Sequence, residues 1–421
     1  MTRAIALIDG EHYAPVVRDA LEATAHDVVA AVLLGGTEKL RGGDDYGVPL
    51  VAGVEEAIAA YAPDLVLDLS DEPVLGPVER MALASRVLAH GVPYEGADFR
   101  FDAPSFAPVD LPSLAVVGTG KRVGKTAVTG HVAHLLSADR RVVVVAMGRG
   151  GPPEPEVVRV PPTVDVLVEL SRAGRHAASD HLETAALVGV ETVGCRRCGG
   201  GLAGAVAVSN VAEGARVAAG LEPELAIFDG SGAAFPPVAV GRRVLVTAAH
   251  QDPAVATGYL NRYRLLLADL VVITMAEERV ATEVLRDAVA RVVLEGVAVV
   301  ATVLRPRPAE PVAGRRVAFF CTAPPQAHEQ LERHLREAHG ADVVHVTGNL
   351  SDRTALRSEL ASVDADVYLV ELKAAAVDVV VEEALARGAD VVLAANDVVP
   401  LPGEPDLDAE LRRLAEEATD E

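Results

Sequence analysis

The run Gly118-Thr119-Gly120-Lys121-Arg122-Val123-Gly124-Lys125-Thr126 sets two lysines and two hydroxyls among glycines. It lies between an apolar stretch, residues 114–117, and a helix-compatible stretch, residues 127–136. Strand, glycine-rich turn and helix in that order make a phosphate-binding loop. The turn's backbone N–H groups and the helix N-terminus offer partial positive charge to phosphates. In such a loop Lys125 reaches the β- and γ-phosphates of ATP, and the Thr126 hydroxyl ligates Mg²⁺. The strict spacing G-x-x-x-x-G-K-[ST] is not met, because Thr119 stands where its first glycine belongs. Gly118 and Gly120 flank that position and keep the turn feasible. The chemistry implied is binding of a nucleoside triphosphate.

Ligands of open α/β sheets lie beyond the carboxyl ends of the strands, so polar residues directly after apolar runs come next. Asp229-Gly230-Ser231-Gly232 follows the apolar run 225–228. A carboxylate there can hold Mg²⁺ beside the phosphate loop; the plainer alternative is a β-turn, which Asp-Gly favours. Arg149, in Gly148-Arg149-Gly150-Gly151-Pro152-Pro153-Glu154-Pro155-Glu156, can grip an anionic oxygen bidentately. Glu154 and Glu156 read as Mg²⁺ ligands or as loop charges. Ser179, Asp180 and Glu183 open a helix and read as capping residues, with Asp180 as an alternative second carboxylate for a metal.

Gly194-Cys195-Arg196-Arg197-Cys198-Gly199-Gly200-Gly201 contains C-x-x-C, half of a zinc site. A structural zinc needs four ligands, and Cys321 is the only other cysteine of the chain. Arg196 and Arg197 among glycines therefore read as a cradle for a polyanion, with metal or redox chemistry the alternative. Asp9-Gly10-Glu11-His12-Tyr13 and Asp68-Leu69-Ser70-Asp71-Glu72 each follow an apolar run and would share one sheet edge as a polar rim. Glu371-Leu372-Lys373 reads as a surface ion pair.

These residues need a scaffold, and the pattern supplies one. At 421 residues, half of them apolar, the chain can bury several cores. Short apolar runs alternate with helical patterns, which implies mainly parallel sheets covered on both faces. The expected class is α/β, as three doubly wound blocks with a P-loop NTPase domain in the centre. Proline-rich stretches at 101–112 and 305–311 divide the chain into residues 1–112, a Rossmann-like domain, 113–312, the P-loop domain, and 313–421, a C-terminal α/β domain. Residues 141–147, 205–209, 225–228, 244–247, 270–274 and 298–304 are the expected strands of the central block after the phosphate loop.

Composition narrows the partners. A net charge of −23 opposes non-specific binding to nucleic acid or an anionic membrane. No apolar run is long enough to span a bilayer, and the N-terminus lacks the pattern of a signal peptide. Three cysteines in 421 residues suit a reducing compartment, so a cytoplasmic location is expected. An anionic substrate must then be held locally, by arginines, since only four lysines occur and two of them lie in the phosphate loop.

The 118–126 loop and Asp229-Gly230-Ser231-Gly232 resemble the two nucleotide motifs of dethiobiotin synthetase and its relatives. The MinD/ParA-type ATPases of that superfamily carry a lysine early in the loop; here that position is Gly120, and Lys121 comes one place late. At full length the chain resembles the cyclic 2,3-diphosphoglycerate synthetases. The resemblance rests on Asp9–Tyr13, Gly118–Arg122, Gly148–Glu156, Gly194–Gly200 and Asp229–Gly232, and on block order in the last third. It implies ATP-dependent closure of 2,3-bisphosphoglycerate to its cyclic anhydride with release of ADP and phosphate, and phosphorylation of 2-phosphoglycerate. Two polyanions must then meet, and the residues suited to neutralise them are the candidates: ATP and Mg²⁺ as cofactors, Lys125, Arg149 and Asp229 catalytic, Thr126 and Asp229 on the metal, and Arg149, Arg196 and Arg197 on the substrate's phosphates. The alternatives on the same scaffold are a 2-phosphoglycerate kinase and a nucleotide-dependent switch ATPase. A homodimer is left open.

Overall fold

The structure, a computed structural model, describes residues 1–42, 44–72 and 74–420. The α/β expectation holds: strands alternate with helices and pair mostly in parallel. In the first block, Leu50–Val51, Asp27–Leu33, Arg3–Ile8, Leu65–Asp68, Tyr94–Glu95 and Arg100–Phe101 lie side by side in that order. The chain reverses its direction of winding between Arg3–Ile8 and Leu65–Asp68. The sequence placed its polar rim beyond the ends of those two strands.

A second sheet carries everything else. Its central run is Glu191–Cys198, Val142–Gly148, Leu225–Asp229, Ser113–Gly118, Arg242–Ala248, Leu270–Thr274 and Ala298–Pro308, all parallel. Every residue of Ser113–Gly118 is buried, because helices cover both faces. The helix Lys125–Ser137 seats Val128, Val132 and Leu136 on this sheet at a four-residue period. Each such side chain contributes about 1.5–3 kcal/mol on burial.

The stretch 305–311, expected as a boundary, is largely strand. Ala298–Pro308 pairs antiparallel with Asp390–Pro400 from Thr302↔Pro400 to Pro308↔Ala394. The second and third blocks thus share one sheet, continued by Val367–Glu371, Arg316–Phe320 and Asp342–Thr347. The terminal helix Leu407–Asp420 returns to the central block, where Leu407, Leu411 and Leu414 pack with Leu114, Val128 and Val244. The first block docks through its helix Pro77–Ala89 onto the helix Asn261–Leu266, with the Ser85 hydroxyl donating to the Tyr259 carbonyl at 3.1 Å. Among the described residues no helix is long and apolar enough to cross a membrane.

Candidate functional site

The phosphate loop joins Ser113–Gly118 to Lys125–Ser137 between two neighbours that both contribute to it. Gly118 N–H donates to the Gly232 carbonyl at 2.9 Å, and Thr119 N–H to the Val246 carbonyl at 2.9 Å. A β-carbon on Gly118 would meet Gly232 O and Val123 Cγ2, each at 2.9 Å, so glycine is required there. The left-handed residues of the loop are Arg122, φ 64°, and Gly124, φ 78°. Residue 119 is not among them, which explains why threonine replaces the glycine of the strict pattern. The Thr119 hydroxyl instead donates to Gln251 Oε1 at 2.6 Å, tying the loop to the next strand's end.

Asp229 ends its strand in register with Val116 and is fully buried. Lys125 ion-pairs with Asp229 Oδ1, and the Thr129 hydroxyl donates to the same oxygen at 2.5 Å. Asp229 Oδ2 has no hydrogen-bond partner among the described residues and is buried. An orphaned buried carboxylate oxygen on the residue that pairs with Lys125, next to Thr126 in the loop, fits a divalent cation's donor set.

The two arginine candidates converge from different strands. Arg149 follows Val142–Gly148, and a β-carbon on Gly232 would lie 3.1 Å from its Nη2. Arg197 donates through Nη2 to the Ser231 carbonyl at 2.9 Å and through Nη1 to the Gly199 carbonyl at 2.8 Å. Burial, then the neighbouring Arg149, lowers the Arg197 pKa, and its Nε is buried without a partner among the described residues. Neither arginine forms an ion pair with a carboxylate among the described residues. Two guanidinium groups side by side without counter-ions, beside the phosphate loop, make a site that an anion completes.

Arg196 does not join them. The glycine cradle expected at 194–201 is mainly the strand Glu191–Cys198, whose successive side chains alternate faces. Arg197 faces the Ser231–Gly232 turn, so Arg196 faces away and is exposed. The same alternation separates the cysteines: Cys195 is buried against the helix Val211–Ala219, and Cys198, three residues on, is exposed. A strand cannot bring both sulfurs to one zinc. Burial pushes the Cys195 thiol up to about 12, which removes its reactivity.

Two further expectations are corrected. Ser179 makes no capping hydrogen bond; its hydroxyl meets His181 Nδ1 at 3.2 Å. Asp180 and Glu183 instead turn into the site from the first turn of Asp180–Val188. A β-carbon on Gly148 would lie 3.7 Å from Asp180 Oδ2. Burial raises the Asp180 pKa against the pull of Lys125, and pushes Glu183 up to about 8 against the pull of Lys373. The Glu371–Lys373 pair is not a surface feature: Glu371 is buried, and Lys373 Nζ lies 3.8 Å from both Glu183 Oε1 and Glu371 Oε2. The isolated lysine of the third block was the available signal, but its partner is 190 positions away in the chain. Glu156 is held by Arg175 at 2.5 Å, and Glu154 is exposed. Lys121 is exposed, and Arg122 donates to the Ser351 hydroxyl at 3.2 Å.

The polar rim of the first block is satisfied within itself. Asp9 accepts from the Asp71 amide at 2.7 Å and the Glu11 amide at 2.9 Å, with His12 Nδ1 at 2.8 Å. Burial would raise its pKa, but these hydrogen bonds and His12 hold it below the ordinary carboxylate value. Asp68 accepts from Tyr94 OH at 2.6 Å and Arg80 Nε at 2.9 Å.

Three family models match along the chain: the N-terminal domain of cyclic 2,3-diphosphoglycerate synthetase at residues 3–102, its P-loop domain at 113–305 and its C-terminal domain at 308–397. A protein of Rubrobacter xylanophilus named cyclic 2,3-diphosphoglycerate synthetase is 52% identical, over 99% of this chain and 98% of its own length. A protein of the same name from Thermococcus gammatolerans is 45% identical, over 97% and 96% respectively. Among solved structures, LpxK from Aquifex aeolicus, in complex with ATP, aligns with 74% of this chain and 90% of its own at 16% identity and a TM-score of 0.41.

Proposed function

The chain belongs to the cyclic 2,3-diphosphoglycerate synthetase family, and on that premise we propose that it closes 2,3-bisphosphoglycerate to the cyclic anhydride at the expense of ATP. Membership of a synthetase family with a P-loop domain makes it a nucleotide-binding, bond-forming enzyme. The observation that carries the finer reading is the Arg149–Arg197 couple, which has no carboxylate partner among the described residues, beside Ser231 and Gly232 and across from Gly120.

In the proposed reaction a phosphate oxygen of the substrate attacks the γ-phosphorus of ATP. The β–γ anhydride bond breaks and ADP leaves. An oxygen of the neighbouring phosphate then attacks the phosphorus of the activated group that is joined to the glycerate. The ring anhydride forms and inorganic phosphate departs. Both steps bring anions together, so the protein's contribution is positioning and charge neutralisation. Lys125 and the amides of residues 118–126 bind the nucleotide's phosphates. Thr126 and Asp229 would hold Mg²⁺, which supplies charge neutralisation on the β- and γ-phosphates. Arg149, whose guanidinium makes no hydrogen bond among the described residues, takes the substrate's phosphates, and Arg197, anchored on the Gly199 and Ser231 carbonyls, adds its charge and remaining N–H groups beside it. Phosphorylation of 2-phosphoglycerate at the same site, a cytoplasmic location and kinship with dethiobiotin synthetase, the last resting on the motifs at 118–126 and 229–232, belong to the same proposal.

The test is incubation of the purified protein with ATP, Mg²⁺ and 2,3-bisphosphoglycerate, followed by phosphorus-31 NMR. A cyclic pyrophosphate signal growing in step with ADP and inorganic phosphate is expected. Phosphate transfer to 2-phosphoglycerate with no ring would leave a kinase, and hydrolysis indifferent to either glycerate would point to a switch ATPase.

A further inference from the structure

We propose that Lys373, from the third block, is a substrate-phosphate ligand, so that the active site is completed by the C-terminal part of the chain. The inference rests on the synthetase reading above and concerns a residue that the phosphate-loop chemistry does not predict.

Lys373 lies two residues beyond the strand Val367–Glu371, whose neighbours in the shared sheet bring it to the carboxyl edge of the central block. Its ammonium stands 3.8 Å from Glu183 Oε1 and 3.8 Å from Glu371 Oε2, both longer than a hydrogen bond. Glu371 is already committed: Oε2 accepts from the Thr322 amide at 3.1 Å and its hydroxyl at 3.2 Å, and Oε1 from Asn396 Nδ2 at 2.8 Å. It acts as a fixed counter-charge, leaving the three ammonium hydrogens free to turn to another acceptor. Lys373 also borders a cleft whose other walls include Thr126, Glu183, Arg307 and Asn396. The cleft thus runs from the threonine of the phosphate loop to this lysine.

The backbone around Lys373 is held in an uncommon shape. Ala374 adopts φ 46°, and a π-helix, Ala376–Val381, begins just after it. A left-handed alanine costs on the order of 1–3 kcal/mol and persists where the surroundings impose it; π-helical turns recur at functional sites. Here the two together aim one side chain between blocks. Four carboxylates, Asp180, Glu183, Asp229 and Glu371, surround two ammonium groups, Lys125 and Lys373. A polyanion can approach only if that negative charge is quenched. Burial pushes Glu183 up to about 8, so at neutral pH it keeps a proton and Lys373 keeps a single close counter-ion. The free ammonium then faces the cleft as a phosphate ligand.

The test compares Lys373→Met and Lys373→Arg with the wild-type full chain in ring formation, with thermal unfolding measured alongside. For Lys373→Met we expect kcat/KM for 2,3-bisphosphoglycerate to fall about a hundredfold, the KM for ATP to stay within about threefold, and the unfolding midpoint not to drop. Lys373→Arg should recover part of the loss. Ring formation by Lys373→Met within about threefold of wild type would overturn the assignment and leave the synthetase reading standing. So would a loss that tracks a lowered unfolding midpoint and is not relieved by arginine, since that is the mark of a structural pair. If the wild type itself makes no ring, the synthetase reading fails, and calorimetric titration with 2,3-bisphosphoglycerate decides about the lysine. Weaker binding to Lys373→Met would uphold it, and equal binding would end it.

Discussion

Arg149 and Arg196 separate binding from mere proximity in sequence. Arg149 is exposed, carries no structural hydrogen bond among those described, and stands beside Gly232; Arg196 occupies the outward face of its strand. Arg149→Ala should therefore lower kcat/KM for 2,3-bisphosphoglycerate by about 10²-fold, with Arg196→Ala costing far less, in steady-state assays at saturating ATP. Unchanged kinetics in Arg149→Ala would remove the substrate role assigned to it. Glu183 supports a second prediction, about pH. Its folded carboxyl is raised to about 8, by burial first, with Asp180, Glu371 and Asp229 adding and Lys373 opposing, against an ordinary value of 4.5. Between those values the native state holds a proton that the unfolded chain has released. Stability therefore falls as pH rises through that window, by up to about 1.4 kcal/mol per pH unit for this one group. Glu183→Gln cannot ionise, so its stability advantage over wild type should widen from pH 5 to 8 and level off above. Denaturant melts at several pH values would read this, and a constant gap would show that Glu183 is not buried as a neutral acid.

At the scale of elements, the strand Glu191–Cys198 and the helix Val211–Ala219 hold Arg197 in place. The helix lies close because position 214 is glycine: a β-carbon there would stand 2.2 Å from Cys195 Sγ. Gly214→Ala should therefore push helix from strand and cost about 1–3 kcal/mol, seen as a lowered unfolding midpoint. Adding Cys195→Ala removes the sulfur from the clash and should restore part of the loss. If the double variant is no more stable than Gly214→Ala, the contact is not what sets the spacing. The same element shows why a motif read in one dimension misleads. Glycines at 194 and 199–201 suggest a loop, yet 191–196 pairs in parallel with Val142–Gly148, and Arg197 and Cys198 pair antiparallel with Ser209 and Val208. Pairing with a central strand outweighs the weak β-propensity of glycine.

At the scale of the whole molecule, we expect the second and third blocks to unfold as one unit. They share a sheet and a core in which Leu167, Val168 and Leu182 pack with Phe320, Tyr368 and Val380. The terminal helix adds Leu411 and Leu414 to the core beneath the phosphate loop. A chain ended at residue 312 would expose the edge of Ala298–Pro308 and lose that cover, inviting edge pairing between copies. We expect the truncated chain to aggregate or to lack a cooperative thermal transition, measured by circular dichroism and light scattering. A monomeric, cooperatively folding fragment would show that the third block is dispensable for the central fold.

What the sequence alone determined is local. The phosphate loop, Asp229 and most strands and helices depend on contiguous residues, glycines for close approach and apolar runs for burial, and these are legible in one dimension. Three-dimensional juxtaposition decided the rest. Asp180 and Glu183 looked like helix caps because the pattern of a helix start is the same whether its carboxylates face water or a lysine. Lys373 looked like a surface residue because the carboxylate it faces, Glu183, is supplied by a helix 190 residues earlier. Arg196 and Arg197 were alike as letters and were separated by the alternation of one strand. The cleft between Thr126 and Lys373 and the charges that line it depend on pairing between Ala298–Pro308 and Asp390–Pro400. Contacts of that span are set by the packing free energy of the whole fold, and no local spacing encodes them.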